Sequence, residues 1–387
     1  MRVMIKYVRN VKPASLKGTA LVRLDFNTKD DWRMAAVIPT ITFLLMNGCK
    51  IVIVSHRGRP VIGAKGGSLK NGVPVGFPAD LHLKKDAALL SAFIKRKVSF
   101  VNHFRFGEIR RAVAAAPAGS VFLLDNLRFL PGEAKNDPKL AKELASLVDF
   151  YVNDAFAVDH RANASVVAVT KFLPSYAGFE LEREIASLSK AIVKPKHPVV
   201  LILGGAKASD KLGVIAHFRT RADWFLLGGG SANSVLALEG VDVKRSVRET
   251  DTKTLAALKP LAHNKKVIAP VDFVWGSGAS KGKIVDVGPK TIAAFKKKVA
   301  SARTIIWSGP LGVIEKRAYA KGSVALANAI GNNRRAFSLT GGGETVMFLK
   351  AYKLDKKFSF ISTGGGAMLD FLAGEKLPGI EALKGKS

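Results

Sequence analysis

The sequence predicts an α/β protein of parallel sheets arranged in two domains. A chain of 387 residues exceeds what one hydrophobic core ordinarily supports, and 48% apolar residues supply enough for two cores. Short apolar runs of strand length alternate with longer segments of helical period, the pattern of βαβ units. The strand runs also end in two ways, in charged or amide residues in the first half and in glycine in the second.

Taken in order, the first-half strands are read in "ALVRLDFN", "KIVIVSHRGR", "VFLLDNLR" and "FYVNDAF". Before the last of these a helix is expected: Asp137 is placed as its N-cap, Pro138 suits the first turn, and Leu140, Leu144 and Leu147 fall on one face. The second-half strands are read in "VVLILGGAK", "DWFLLGGGS", "TIIWSGPLG" and "AFSLTGGGE". The last continues as "SLTGGGETVMF", an apolar lead-in at Phe337 and Leu339, three glycines, and then Glu344, Thr345 and a stretch fit to open a helix. Three glycines at that junction imply a ligand that approaches the backbone closely.

Open parallel sheets bind ligands beyond the carboxyl ends of their strands, so each half shows its ligand face there. One face is rich in Arg and His: Arg23, Arg33, His56, Arg59, Arg128 and Arg161, with Asp25 and Asn27, suit a small polyanion gripped by guanidinium groups and read at a hydroxyl. The other face is rich in bare backbone, and Gly-Gly loops leading into helices let N–H groups and helix N-termini wrap phosphates. The inference is a small phosphorylated acid on one domain and a nucleotide on the other. Taken singly, Asp25, Arg59 and His160 have ordinary explanations as turn former, surface cation and packed histidine.

Several classes are excluded. "WGSGASKGKI" lacks P-loop spacing and has no Ser/Thr after Lys283, so it is read as a surface loop. No complete G-x-G-x-x-G occurs, which removes the best evidence for a dinucleotide-binding dehydrogenase. One cysteine, Cys49, excludes a disulfide framework, and no Cys/His spacing resembles a zinc site. Without a signal-like N-terminus or an apolar run of membrane length, the chain reads as soluble and cytoplasmic, with no membrane partner. A formal charge of +31, from 61 Lys+Arg against 30 Asp+Glu, attracts anions. The cations come in scattered groups (Lys84-Lys85, Lys296-Lys297-Lys298, Arg334-Arg335) without interleaved aromatics, so a solvated basic surface is the leading reading and any nucleic-acid binding is expected to be non-specific.

The blocks "VRLDFN", "SHRGRP", "LLDNLRFLPGE", "YVNDAFAVDHRANAS", "GGAKASDKLGVI", "WSGPLGVIE", "GGGET" and "STGGGA" resemble, in order and spacing, the phosphoglycerate kinase family, from about Val22 to about Leu383. The resemblance implies two Rossmann-like doubly wound domains facing a cleft and joined by a connecting helix. Their bounds would be 1–173 for the 3-phosphoglycerate-binding domain, 174–192 for the helix, 193–367 for the nucleotide-binding domain and 368–387 for a tail packing back on the first domain. It further implies reversible phosphoryl transfer from 1,3-bisphosphoglycerate to MgADP, giving 3-phosphoglycerate and MgATP, by a hinge-bending monomer. Carried over residue by residue, the acid site comprises Asp25, Asn27, Arg33, His56, Arg59, Arg128 and Arg161. The nucleotide site comprises Gly205, Ala206, Lys211, Gly229, Pro310, Gly312, Val313, Glu315, Gly342, Gly343, Glu344 and Thr345, with Glu344 orienting Mg²⁺. Arg33, Lys207 and the helix N-terminus at Gly365 would stabilise the group in flight.

This chain departs from the family pattern at Glu344, where the family places an aspartate, at Ser308 for an asparagine, and at Asn163 for a histidine. The expectation is an active kinase with altered Mg²⁺ or nucleotide handling. The alternative from another class is a kinase-fold protein with weak or lost catalysis, binding nucleic acid or another polyanion through its basic surface.

Overall fold

The computed structural model describes residues 5–12, 16–28 and 31–384. It divides into two compact units, one formed by the chain up to Ile185 together with the segment from Lys376, the other by Ala186–Glu375. The division falls inside the helix Phe179–Ile192.

The first unit contains strands β1 (Thr19–Arg23), β2 (Lys50–Val54), β3 (Ser68–Lys70), β4 (Val73–Val75), β5 (Val98–Val101), β6 (Val121–Leu124), β7 (Phe150–Asn153) and β8 (Ser175–Ala177). Six of them make one parallel sheet in the order β5-β6-β2-β1-β7-β8, while β3 and β4 form an antiparallel hairpin. Every residue of β1 is buried, because a parallel sheet covered on both faces needs continuous rather than alternating apolar sequence. The predicted helix runs Pro138–Ala145, and Asp137 caps it by accepting from Lys139 N at 2.8 Å. Leu140 and Leu144 pack inward from it; Leu147 is buried as well, but from the turn beyond the helix end. The segment after Lys376 adds the helix Pro378–Leu383 to this unit, where Gly379 N donates to Asp159 O at 2.9 Å. A Cβ on Gly379 would stand 2.1 Å from Asp159 Oδ1, so only glycine allows that approach.

The second unit contains β9 (Val199–Leu203), β10 (Trp224–Leu227), β11 (Val267–Ile268), β12 (Phe273–Trp275), β13 (Ile284–Val287), β14 (Thr304–Ser308), β15 (Phe337–Gly341) and β16 (Phe360–Ser362). Its parallel sheet has the order β11-β10-β9-β14-β15-β16, with β12 and β13 as a separate antiparallel pair. The loop read in "WGSGASKGKI" connects that pair. The order in which successive strands are added reverses between the parallel neighbours β9 and β14, the switch point at which doubly wound sheets open a crevice. The two strands pair from Val199 with Thr304 to Leu203 with Ser308, so their carboxyl ends finish level. Trp307 fills the core there, and its indole N–H donates to Gly309 O at 2.7 Å, tying the core to the loop that follows.

Candidate functional site

In the first unit the loops after β1, β2, β6 and β7 gather the predicted anion residues. Arg33, on the helix Trp32–Met46, donates from Nη1 to Asp25 Oδ2 at 2.6 Å. Asp25 Oδ1 accepts from Asn27 N at 3.1 Å, and Asn27 Oδ1 accepts from Gly58 N at 2.8 Å. Arg128 donates to Gly58 O, which links the β2 and β6 loops. Buried Asn126 holds the same two loops from below, its Oδ1 accepting from Arg57 N and Arg128 N, each at 3.1 Å. Arg59, Arg128, Arg161 and Asn163 line a cavity of about 510 Å³.

His56 is buried, and its protonation state follows from geometry. Arginine only donates, so the 3.1 Å contact from Arg23 Nη2 makes His56 Nδ1 the acceptor and leaves the proton on Nε2. Burial first, then the charges of Arg23, Arg128, Arg161 and Arg33, lower its pKa well below the ordinary value. The ring is therefore neutral at physiological pH, and its 3.6 Å approach to Asp25 Oδ1 is not an ion pair. Nε2 is a buried donor without a hydrogen-bond partner among the described residues.

Arg23, grouped in the sequence with the anion-gripping arginines, has a different position. It is buried, donates from Nε to Ser165 Oγ at 2.9 Å, and is turned towards Leu24 O and His56. Ser165 Oγ in turn donates to Glu133 Oε1 at 2.6 Å. Arg23 thus orients His56 rather than lining the cavity. Arg128 is held down to about 10, by burial first and then by Arg161 and Arg23, and stays charged at neutral pH. So many like charges around one cavity favour an anion there.

In the second unit the glycine loops converge at the β9/β14 switch point. Gly205 has φ +78°, and its N–H donates to Pro310 O at 2.7 Å while its carbonyl accepts from Gly230 N at 2.8 Å. Gly229 N donates to Leu311 O at 3.0 Å, and Gly309 N donates to Thr345 Oγ1 at 3.0 Å. The helix Gly343–Ala351 begins after Gly342, and a Cβ on Gly365, first residue of the helix Gly365–Leu372, would stand 3.8 Å from Gly342 Cα. Two helix N-termini with their free N–H groups and positive dipole ends therefore meet at one point.

Lys211 is buried and donates from Nζ to Lys207 O at 2.8 Å, whereas Lys207 is exposed. Burial lowers the Lys211 pKa, against the opposing pull of Asp210, Glu344 and Glu249. Lys211 Nζ and Glu344 Oε2 both lie 3.7 Å from where a Cβ on Gly205 would stand. Glu249, which the sequence reading did not single out, accepts from Ala208 N at 2.7 Å and Ser209 N at 3.0 Å and so fixes the turn carrying the lysines.

Two cavities adjoin this point and share Gly205, Ala206 and Glu344. One, about 330 Å³, is lined by Lys207, Lys211, Ser308 and Gly341–Thr345. The other, about 230 Å³, is lined by Gly229, Val247, Ile284 and Pro310–Glu315. Cationic, backbone-rich space beside apolar space suits the phosphates and the base of one nucleotide. The described residues hold no cluster of three or more metal-ligating side chains. Two carboxylates, Asp210 and Glu344, line the phosphate-sized cavity, and so sparse a protein donor set fits a magnesium ion that is held largely by nucleotide phosphates. None of the described helices is long and apolar enough to cross a membrane.

The family model described as "Phosphoglycerate kinase" matches residues 12–375. The chain is 38% identical to phosphoglycerate kinase of Dictyoglomus turgidum over 98% of this chain and 99% of the relative. It is 40% identical to that of Akkermansia muciniphila over 97% and 98% of the two chains. Among solved structures, phosphoglycerate kinase from Coxiella burnetii superposes with a TM-score of 0.81 at 32% identity, covering 98% of this chain and 99% of that one. The enzyme from Pyrococcus horikoshii OT3 gives 0.82 at 30% identity, with 98% of each chain covered.

Proposed function

This chain belongs to the phosphoglycerate kinase family, and from that premise we propose that it transfers a phosphoryl group reversibly between 1,3-bisphosphoglycerate and MgADP. The products are 3-phosphoglycerate and MgATP, and the acceptor in the reverse direction is a carboxyl group. The observation that carries this reading is the complementary chemistry of the two sites, an arginine-lined cavity with a buried neutral histidine on the neighbouring β2 loop, and a backbone-built cavity at helix N-termini.

In the acid site, Arg59, Arg128 and Arg161 hold the phosphate, His56 Nε2 donates to an anionic oxygen, and Asp25 and Asn27 read the hydroxyl. Arg33, fixed by Asp25 at 2.6 Å, faces the reacting carboxylate. In the nucleotide site, Gly205, Ala206, Gly229, Pro310, Gly312 and Val313 enclose base and ribose, with Glu315 on the ribose. Lys211 and the turn Gly342, Gly343 and Thr345 hold phosphates, and Glu344 would hold the magnesium ion. When bound, that ion would neutralise phosphate charge.

A carboxylate acceptor is ionised at neutral pH, with a pKa of about 4, so the reaction requires no general base. What remains is positioning and positive charge around the equatorial oxygens of the group in flight. Lys207, Arg33 and the N–H groups at Gly365 supply that charge. The kinase is tested by steady-state turnover of MgATP with 3-phosphoglycerate, coupled to reduction of the acyl phosphate. Turnover that falls by a factor of about 100 or more in Lys207→Ala supports the assignment; turnover unaffected by that substitution removes Lys207 from the mechanism.

A further inference from the structure

The strands of the second sheet all run one way, so the residues that precede them share the end opposite the nucleotide loops. On one side of the switch point, Lys194 and Lys196 precede β9, Arg219 and Arg221 precede β10, and Lys265 and Lys266 precede β11. On the other, Arg303 precedes β14, Arg334 and Arg335 precede β15, and Lys356 and Lys357 precede β16. Each of these cations lies within five residues of its strand, is exposed, and forms no ion pair among the described residues. In the same five-residue windows stand only two acids, Asp223 and Asp355. In the first sheet the corresponding windows are less uniform: β2, β6 and β7 have no cation, β1 and β8 have one each (Lys17 and Lys171), and the edge strand β5 follows Lys95, Arg96 and Lys97.

Charge complementarity helps a helix C-terminus, but these cations sit on strand leaders across the whole sheet, where like charges repel each other without an anion to pair. We propose that this amino-terminal end of the β9–β16 sheet docks the phosphate backbone of duplex nucleic acid. Six strands about 4.8 Å apart give the face a width of about 24 Å. That is the length over which one strand of a duplex presents about seven phosphates. A cavity of about 540 Å³ lined by Asn333, Arg334, Lys356, Lys357 and Ser359 indents the face at its β15–β16 side. Gly331 lets the Lys357 stem lie close, since an added Cβ there would stand 2.8 Å from Lys357 Cβ.

The aromatic rings at this end favour a duplex over a single strand. Trp224 carries Lys298 Nζ 3.1 Å from its ring centroid, and Phe337 carries Lys190 Nζ at 5.7 Å. Both rings are engaged by cations, and Phe358, which lines the cavity, packs on core Trp307 with ring centroids 5.9 Å apart, so none of the three is a free stacking platform for unpaired bases. Beside the leaders Val193 is exposed, but a lone valine gives little apolar surface to insert between lipid chains. Contact is thus with backbone phosphates, independent of sequence. A five-residue strand sets the face about 16 Å from the nucleotide loops, so docking and MgATP binding do not compete.

The experiment is fluorescence anisotropy of a random-sequence 20-base-pair duplex with the full chain, from 50 to 200 mM KCl. About five phosphate contacts predict a log–log slope near −4.5, a loss of about 500-fold over that range. Arg303→Gln/Arg334→Gln/Arg335→Gln/Lys356→Gln/Lys357→Gln is predicted to flatten the slope by about 3 and weaken binding by about 30-fold or more, with kinase turnover intact. If that variant fails to fold, the pair Lys356→Gln/Lys357→Gln is predicted to flatten the slope by about 1 to 2. Lys95→Gln/Arg96→Gln/Lys97→Gln, which removes charge from the first sheet's edge, is predicted to change affinity by about twofold at most. Equal losses in both sets, displacement of the duplex by saturating MgATP, or no duplex binding would each overturn the proposal. Sedimentation with phosphatidylserine vesicles in the absence of duplex binding would assign the face to a membrane surface instead.

Discussion

Gly230→Ala probes how the nucleotide site is built. An added Cβ at Gly230 would stand 2.0 Å from Ala206 O and 2.8 Å from Ala206 C, backbone atoms that cannot rotate away. Ordinary C···O contacts start at about 3.3 Å, so the Gly205-Ala206 loop must retreat by about 1 Å. The same shift strains the 2.8 Å bond from Gly230 N to Gly205 O, with an overpacking cost of about 1–3 kcal/mol. A displacement of this size in the loop proposed to enclose the nucleotide is predicted to lower kcat by about 100-fold. Steady-state kinetics with each substrate varied in turn should show KM for MgATP rising while KM for 3-phosphoglycerate stays within about twofold, because the perturbation lies in one unit. Gly107→Ala, on a helix with nothing within 4 Å of the added Cβ, is the control and should stabilise by about 0.5–1 kcal/mol. Wild-type kcat in a normally folded Gly230→Ala protein would refute the reasoning that the close packing of Gly230 on the Ala206 backbone shapes the nucleotide site.

Three further outcomes follow from the same geometry. Glu344→Asp shortens the carboxylate arm by about 1 Å and should change turnover or the Mg²⁺ concentration for half-maximal rate by up to about 100-fold; identical Mg²⁺ titrations would leave the extra methylene without consequence. His56 should appear in ¹⁵N-edited spectra at pH 6.5 as the neutral Nε2–H tautomer, and a charged ring at that pH would contradict the burial and the surrounding arginine charges that hold it neutral. Burial is the first cause raising Glu180 to about 8 and Asp159 to about 7. A carboxyl raised in the folded state keeps its proton longer than the unfolded chain does, so each destabilises as pH rises from about 4.5 through its folded value. The melting temperature should fall between pH 5 and 8, and fall less in Glu180→Gln; parallel curves would mean that Glu180 is ionised throughout.

Much of this was legible in the sequence because strand ends are local. "VRLDFN" and "LILGGAK" show where an apolar run stops and which groups follow it, and parallel sheets place those groups on one edge. What stayed hidden depends on distant residues. Arg23 reads as one more anion-gripping arginine until Ser165 and His56 are seen to take its donors. The neutrality of His56 comes from burial first and then from four arginines spread over the first unit, and Lys211 looks like an exposed first-turn lysine although it is buried. Glu249 lies far along the chain from the Ala208-Ser209 turn it holds, with no motif to announce it. The cationic strand leaders looked like scattered groups, since only the common direction of the strands collects them.

The central claim is that a carboxyl oxygen of the phosphorylated acid receives the phosphoryl group. Its most direct test incubates the protein with MgATP, 3-phosphoglycerate and hydroxylamine, which converts an acyl phosphate to a hydroxamate. Stoichiometric hydroxamate and ADP, both lost in Arg33→Ala and Lys207→Ala, are predicted. ADP formed alongside an acid-stable phosphate ester, with no hydroxamate, would place the phosphoryl group on a hydroxyl and contradict the account.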